Sequence, residues 1–217
     1  MAIEALSLEA FKKMDYYAVE KYGLSIELMM ENAGLQLARL IALKASKECK
    51  ITIGVGNGNN GGGGLVAARR LAAWGYDVYL DLAVDITKEL PSIQLKRAVL
   101  FGVTQRLPTK TDIWVDAYLG FSQRLPLSQV FLEKITLANA ATAHRISLDI
   151  PIGISEDRSE PMFKAHQVVT LAAPKKILEL LPKGIAIFIA DIGIPKAIYT
   201  EFDIEMPCFA RQQLLKI

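Results

Sequence analysis

The sequence predicts an α/β protein: one domain with a mostly parallel sheet and helices on both faces. Three observations predict it. Short β-branched runs alternate with helical patterns of 10 to 13 residues. A glycine-dense loop separates the first strand from the helix behind it, seven of the 15 glycines falling between Gly54 and Gly64. Aspartates close several of the later strands. No repeat or Pro/Ser-rich linker divides the 217 residues, and a chain of this size buries roughly 70% of the surface its unfolded form exposes.

The elements follow in order. Leu8, Phe11, Met14 or Asp15, Ala18 and Tyr22 recur at helical spacing behind Ser7, and Gly23 stops the helix. Ser25 caps a second helix running through Leu28, Met29, Leu35, Ala38 and Ile41. Its small residues Asn32-Ala33-Gly34 admit another backbone, by packing or dimer contact. Ile51 to Val55 is the first strand, followed by the glycine loop and a helix from Leu65 to Trp74. Val78 to Ala83 is the next strand, and Glu89 to Phe101 a helix ended by Gly102. Ile113 to Val115 reads as a strand ending at Asp116, Val130 to Ala141 as a helix, and Ile146 to Leu148 as a strand ending at Asp149. Val168 to Leu171, Ile177 to Leu181 and Ile185 to Ile189 continue the alternation. Trp74 and Trp114 fall inside elements and read as core.

Composition excludes several classes. The chain is 52% hydrophobic with a mean hydropathy of +0.26. Its longest uncharged run, Ile51 to Ala68, nevertheless holds three asparagines and the glycine cluster, so it is no membrane span. Met1-Ala2-Ile3-Glu4 has no basic stub and no apolar stretch behind it, which predicts a chain without a secretory signal and a cytoplasmic location. Cys49 and Cys208 lack CxxC spacing and read as packing residues in a reducing compartment. With 25 basic and 23 acidic residues the net charge is +2, without a basic run, so nucleic acid is not an expected partner.

Ligands of an open parallel sheet bind beyond the carboxyl ends of its strands. That rule gathers the Gly56 to Gly64 loop, Asp81, Asp116 and Asp149 on one rim. Gly56-Asn57-Gly58-Asn59-Asn60-Gly61 satisfies GxGxxG, and Asp81 follows Gly61 by 20 residues, the spacing of a ribose-binding acid. No Gly-Lys-Ser/Thr follows, so the loop is not a Walker phosphate loop. A plain flexible turn is the alternative. Against it stand Asn59 and Asn60, whose amides both donate and accept, in a loop where missing side chains let a ligand reach the backbone.

Five ordered segments carry a resemblance. They are Leu28-Met29-Met30-Glu31-Asn32-Ala33-Gly34, Gly56-Asn57-Gly58-Asn59-Asn60-Gly61-Gly62, Asp116-Ala117-Tyr118-Leu119-Gly120, Asp149-Ile150-Pro151 and Asp191-Ile192-Gly193-Ile194-Pro195. Together they resemble the YjeF N-terminal domain family, which includes NAD(P)H-hydrate epimerases. The resemblance implies a Rossmann-like three-layer α/β/α sandwich, a homodimer, and interconversion of the S and R forms of hydrated NADH or NADPH in nicotinamide nucleotide repair. It also implies functional pairing with a hydrate dehydratase. Glu201 to Pro207 is similar to the linker that leads into that second domain, so the last 15 or so residues of the single domain 1–217 read as such a linker.

Position by position, the resemblance implies that Asn59, Asn60, Gly61, Gly62 and Gly63, the segment Gly120, Phe121, Ser122, Gln123, Arg124, Leu125 and Pro126, and Asp149 contact the hydrated dinucleotide. It assigns a potassium ion to Asn60 and Asp116, with a third ligand from Ile152, which offers only its main-chain carbonyl. Amide and peptide oxygens plus a carboxylate suit a large monovalent cation. Three positions depart from the family: Gly63 stands where it has aspartate, Ile152 where it has serine, and His166 where it has aspartate.

The reacting carbon of the hydrate is a hemiaminal, whose inversion needs an acid/base group near the hydroxyl and negative charge near a transient iminium. Asp149 is assigned the acid/base role and Asp116 the positioning one, with the reverse or a shared assignment open. Arg124 is a candidate for the phosphates, or a solvated loop arginine. His144 and His166 read as surface or capping residues, and Asp81 as a cap at the second strand end. The alternative function is a non-catalytic dinucleotide-binding or scaffold protein on the same fold, favoured by Gly63 and Ile152. An ordinary NAD-dependent oxidoreductase ranks last, because the sequence shows no Tyr/Lys or His/Asp pair for hydride chemistry.

Overall fold

A computed structural model describes residues 4–159, 161–212 and 214–217; the Met1–Ile3 stub used above lies outside them. Ser7 Oγ accepts from Ala10 N and opens α1 (Leu8–Tyr22), which Gly23 ends at φ 64°. Ser25 Oγ accepts from Leu28 N and opens α2 (Ile26–Ala42). Then come β1 (Lys50–Val55), α3 (Asn59–Ala73), β2 (Asp77–Leu82), α4 (Glu89–Leu100) and β3 (Ile113–Ala117). The chain continues through α5 (Gln129–Ala140), β4 (His144–Leu148), β5 (Gln167–Leu171), a 3-10 turn at Lys176–Leu180, β6 (Ala186–Ala190), α6 (Lys196–Glu201) and β7 (Leu214–Lys216).

The strands form one sheet in the order β2-β1-β3-β4-β5-β6-β7, parallel except for β7 against β6. Successive strand residues enter different apolar clusters, as the pleat requires. In β5, Val169 joins the cluster of α2, α3 and α4, whereas Val168 joins the one built on α5. The architecture is therefore the three-layer α/β/α sandwich expected. β7 lies inside the stretch read as a linker, and it completes the sheet edge. Among the described residues no helix is long and apolar enough to cross a membrane.

Three expectations change. The glycine segment is not all loop: α3 starts at Asn59, so Gly61 to Gly64 are helical and buried. Helical glycine costs about 1 kcal/mol against alanine, and close packing recovers it here. A Cβ on Gly61 would sit 2.0 Å from the Gly56 carbonyl oxygen, and one on Gly64 2.6 Å from Ala117 Cβ. Trp74 is 39% exposed, because it follows α3 where the chain leaves the core face. Cys208 is exposed and Cys49 half-buried, both in connecting segments off the sheet, so neither is a core packing residue.

Gly54 in β1 gives the sheet room for Tyr118, since its Cβ would lie 2.0 Å from Tyr118 Cζ. That ring is fully buried and its hydroxyl donates to Asp81, so it has nowhere to go. Gly54→Ala should therefore lower stability by about 1–3 kcal/mol, a drop in Tm of roughly 2–4 °C per kcal/mol. A melting curve that superimposes on the native one would contradict this packing.

Candidate functional site

Strand order reverses at β1, whose neighbours are β2 and β3. Ligands of such sheets bind at this switch point, outside the carboxyl ends. The structure has a cavity of about 810 Å³ there, lined by the turn before α3, the loop after β3, Asp149 after β4, and the exposed side of α1. Gly58, the residue before α3, makes no side-chain cap, so the first-turn amides of α3 are left for an anion at the cavity edge. Lys12, Lys88 and Arg124 also line it.

Asp149 sits at the inner end, 1% exposed, with φ 70°. A non-glycine residue rarely holds that conformation, and here three contacts impose it. Its N–H donates to Val169 O at 2.7 Å. Its Oδ2 accepts from Phe121 N at 2.6 Å. Its Oδ1 lies 2.9 Å from Lys175 Nζ, a close ion contact rather than an aligned hydrogen bond. Gly120 makes room for this arrangement, since its Cβ would come 2.8 Å from Asp149 Oδ2. Lys175 has no water contact: Nζ donates to Thr170 Oγ1 at 2.9 Å and Leu171 O at 3.1 Å, and sits 3.6 Å from the centre of the Phe11 ring. Burial pushes its ammonium down from the ordinary lysine range, with Asp149 opposing. Asp15 of α1 lines the same cavity. Burial first, and then the Asp149 charge, raise its carboxyl to about 6 against a smaller opposite effect of Lys175.

Asp116 is fully buried and does not line the cavity. Its Oδ2 accepts from Ile152 N at 2.8 Å and Ser147 Oγ at 3.0 Å, and its Oδ1 from Tyr118 N at 3.2 Å. Burial raises it to about 7 although those donors oppose the shift. The expected cation ligands fit unequally. Asn60 Nδ2 donates to Leu119 O at 2.9 Å and Leu148 O at 3.3 Å, leaving Oδ1 buried without a hydrogen-bond partner. That orphaned amide oxygen suits a weak-field cation. Asp116 already serves three donors. The Ile152 carbonyl already accepts from Phe163 N at 3.0 Å, and its side chain is fully buried in the α5 cluster.

Of the residues expected at the ligand, Asn59, Asn60, Gly63, Gly120, Phe121, Ser122, Gln123, Arg124, Pro126 and Asp149 line the cavity. Gly61, Gly62, Leu125, Asp116 and Ile152 do not: the two glycines are buried in α3, and Leu125 is 40% exposed. Gln123 ties its loop to the next, accepting from Gly153 N at 2.9 Å. A Cβ on Gly63 would meet Leu148 Cδ2 at 3.2 Å and Ala33 Cβ at 3.8 Å, apolar surroundings for the aspartate usual in the family. Asp81 is not a strand cap. It is 4% exposed and bridges Tyr118 Oη and Lys134 Nζ, both at 2.5 Å, because α5 and the β3 loop close over the end of β2. His144 and His166 stack with ring centres 5.1 Å apart at the amino ends of β4 and β5, away from the cavity. Asp15 and Lys175 were missed. Asp15 was legible only as an acid on the apolar side of an amphipathic helix, and Lys175 as a lysine behind the uncharged run Leu171-Ala172-Ala173-Pro174.

A profile of the YjeF-related protein N-terminus family matches residues 26–177. The chain is 34% identical to an NAD(P)H-hydrate epimerase of Rhodopirellula baltica, over 94% of this chain and 90% of that one. It is 33% identical to one of Dehalogenimonas lykanthroporepellens, over 92% and 86%. It is 32% identical to the bifunctional NAD(P)H-hydrate repair enzyme Nnr of Archaeoglobus fulgidus, over 82% of this chain but 39% of the relative. The crystal structure of yeast ynu0, YNL200c, superposes with a TM-score of 0.87 at 23% identity, covering 99% of this chain and all of that one, which supports the fold.

The raised Asp15 carboxyl makes a stability prediction. Between about pH 4, where an unfolded aspartate titrates, and about 6, the folded protein keeps a proton that the unfolded chain has lost. Stability therefore falls as pH rises through that window. Asp15→Asn removes the effect, so the variant's urea midpoint should gain on the native protein's from pH 4 to pH 7. A difference independent of pH would contradict the assignment.

Proposed function

Because the chain belongs to the family of YjeF-related protein N-termini, we propose that it is an NAD(P)H-hydrate epimerase, interconverting the S and R forms of hydrated NADH and NADPH. The observation that carries this is the cavity at the β1/β3 switch point, with a buried aspartate at its inner end and an uncapped helix N-terminus at its edge. The relatives' names point the same way. A volume of about 810 Å³ falls in the range of cofactor sites. In this reading the nicotinamide lies against Asp149 and the loop Gly120 to Pro126. The phosphates lie toward Asn59 and Asn60 at the start of α3, with Arg124 and Lys88 beside them.

Asp149 then acts at the hemiaminal carbon as the acid/base group and as the negative charge opposite the developing iminium. Asp116 holds the backbone at Tyr118 and Ile152 and so positions the loops on both sides of Asp149. A potassium ion would be held by Asn60 Oδ1, with Asp116 and the Ile152 carbonyl as the further oxygens assigned to it. When bound it would supply positive charge to the site. We extend the proposal to a cytoplasmic homodimer working beside a hydrate dehydratase. A second reading, a non-catalytic dinucleotide-binding or scaffold protein, is favoured by the apolar surroundings of Gly63 and Ile152.

The test is conversion of purified S or R hydrate in potassium and then in sodium buffer. Racemisation is expected, faster in potassium, and Asp149→Asn should abolish it in the fraction that stays folded, since the change also leaves the buried Lys175 without its anion. No conversion at high protein concentration, with NADPH still bound, would leave the scaffold reading standing.

A further inference from the structure

Inversion at the hydrated carbon has a geometric requirement that Asp149 alone does not meet. The departing hydroxyl and the arriving water occupy opposite faces of the ring, so each needs its own proton-transfer group unless one group can move between them. Asp149 cannot move. Its backbone is held at φ 70°, one carboxyl oxygen is taken by Phe121 N at 2.6 Å, and the other lies 2.9 Å from the buried Lys175. Among the described residues lining the cavity, one other carboxyl is present, that of Asp15.

We infer that Asp15 is a second catalytic residue, the acid/base partner of Asp149 on the opposite face of the reacting carbon; this rests on the epimerase reading above. The placement of α1 supports it. Phe11, one turn before Asp15, packs edge-to-face with Phe121 with ring centres 5.0 Å apart, and Lys175 Nζ lies over the Phe11 ring at 3.6 Å. Asp15 is thus presented by a helix docked on the same loop and lysine that hold Asp149. The charged groups that act on it are Asp149 at the end of β4 and Lys175 beyond β5; Arg124 in the loop after β3, Lys88 before α4 and Lys12 on its own helix, whose ammonium lies over the Tyr16 ring, line the same cavity. Its carboxyl, raised to about 6, keeps, up to about that pH, the proton it has to give.

In one direction, protonated Asp15 gives its proton to the hydroxyl as the C–O bond breaks. The bonding pair leaves with the oxygen as water, and the ring nitrogen lone pair forms the iminium. Water then adds to the other face, and its proton goes to the Asp149 carboxylate. The reverse reaction uses the same two groups with roles exchanged, so the active form carries one proton between them. No oxidant, reductant or further reactant is consumed.

Asp15→Asn and Asp15→Glu test this, with S and R hydrates as substrates and NADPH binding as the check on folding. The native kcat/KM should fall as pH rises above about 6, as Asp15 loses its proton. Asp15→Asn should lose at least about 100-fold in kcat in both directions, with KM and NADPH binding within about threefold, and should lack that decline. Asp15→Glu should recover at least about tenfold over Asp15→Asn. A kcat for Asp15→Asn within about threefold of native, a loss confined to KM, or an unchanged pH decline would overturn the assignment while leaving the epimerase reading intact. A native protein that converts neither hydrate would instead remove the reading on which it rests.

Discussion

An ammonium with no access to water must be matched by an anion, and Lys175 finds it in Asp149 at 2.9 Å. Neither charge is stable without the other, because removing one partner of a buried pair typically costs about 3–5 kcal/mol. The pair therefore fixes the ends of β4 and β5 relative to each other. It holds Asp149 at a backbone angle that the isolated residue would avoid. It also organises what lies around it. Lys175 supports Phe11 and hence α1, while Asp149 accepts from Phe121 and so draws in the loop after β3. Three parts of the cavity wall, distant in sequence, depend on this one contact.

Glycine does for the backbone what the ion pair does for charge. Gly61 and Gly64 let α3 close on the turn before it and on β3, and Gly120 lets its loop pass next to Asp149 and Asn60. The helix N-terminus is thereby brought to the edge of the cavity. The same closeness leaves Asn60 Oδ1 buried without a partner, the feature most favourable to a cation there.

The fold was legible because its signals are local. Ser7, Gly23 and Ser25 cap and stop helices within the reach of their own side chains or backbone, and β-branched runs mark buried strands. The glycine segment misled because glycine's low helix propensity is a local cost, whereas its compensation at Gly56 and Ala117 is tertiary. The site was legible where a motif names it, at Asn59, Asn60, Gly120 to Arg124 and Asp149. It was illegible where a residue acts through contacts between distant elements. Asp15 lies 134 positions before Asp149, and nothing in the helix around it marks it as part of the site. Lys175 looks like any lysine until the strand topology buries it, and Asp81 looked like a strand cap until Lys134 and Tyr118 closed over it.

On this account the protein places a reactive carbon between an immobile aspartate, anchored by a buried lysine, and a second carboxyl carried by the N-terminal helix. Gly63 and Ile152 do not remove that arrangement, since neither touches Asp15, Asp149 or Lys175 in the described contacts. The most direct measurement is a crystal structure of the full chain with NADPH bound. The account predicts the nicotinamide ring in the cavity between α1 and the end of β4, with the carboxyls of Asp15 and Asp149 on opposite faces of the ring carbon beside its nitrogen, each leaving room for one hydroxyl or water oxygen at about 2.6–3.2 Å from it, and the contact to Lys175 intact. A ring lying outside the cavity, or one from which Asp15 is turned away, would contradict it.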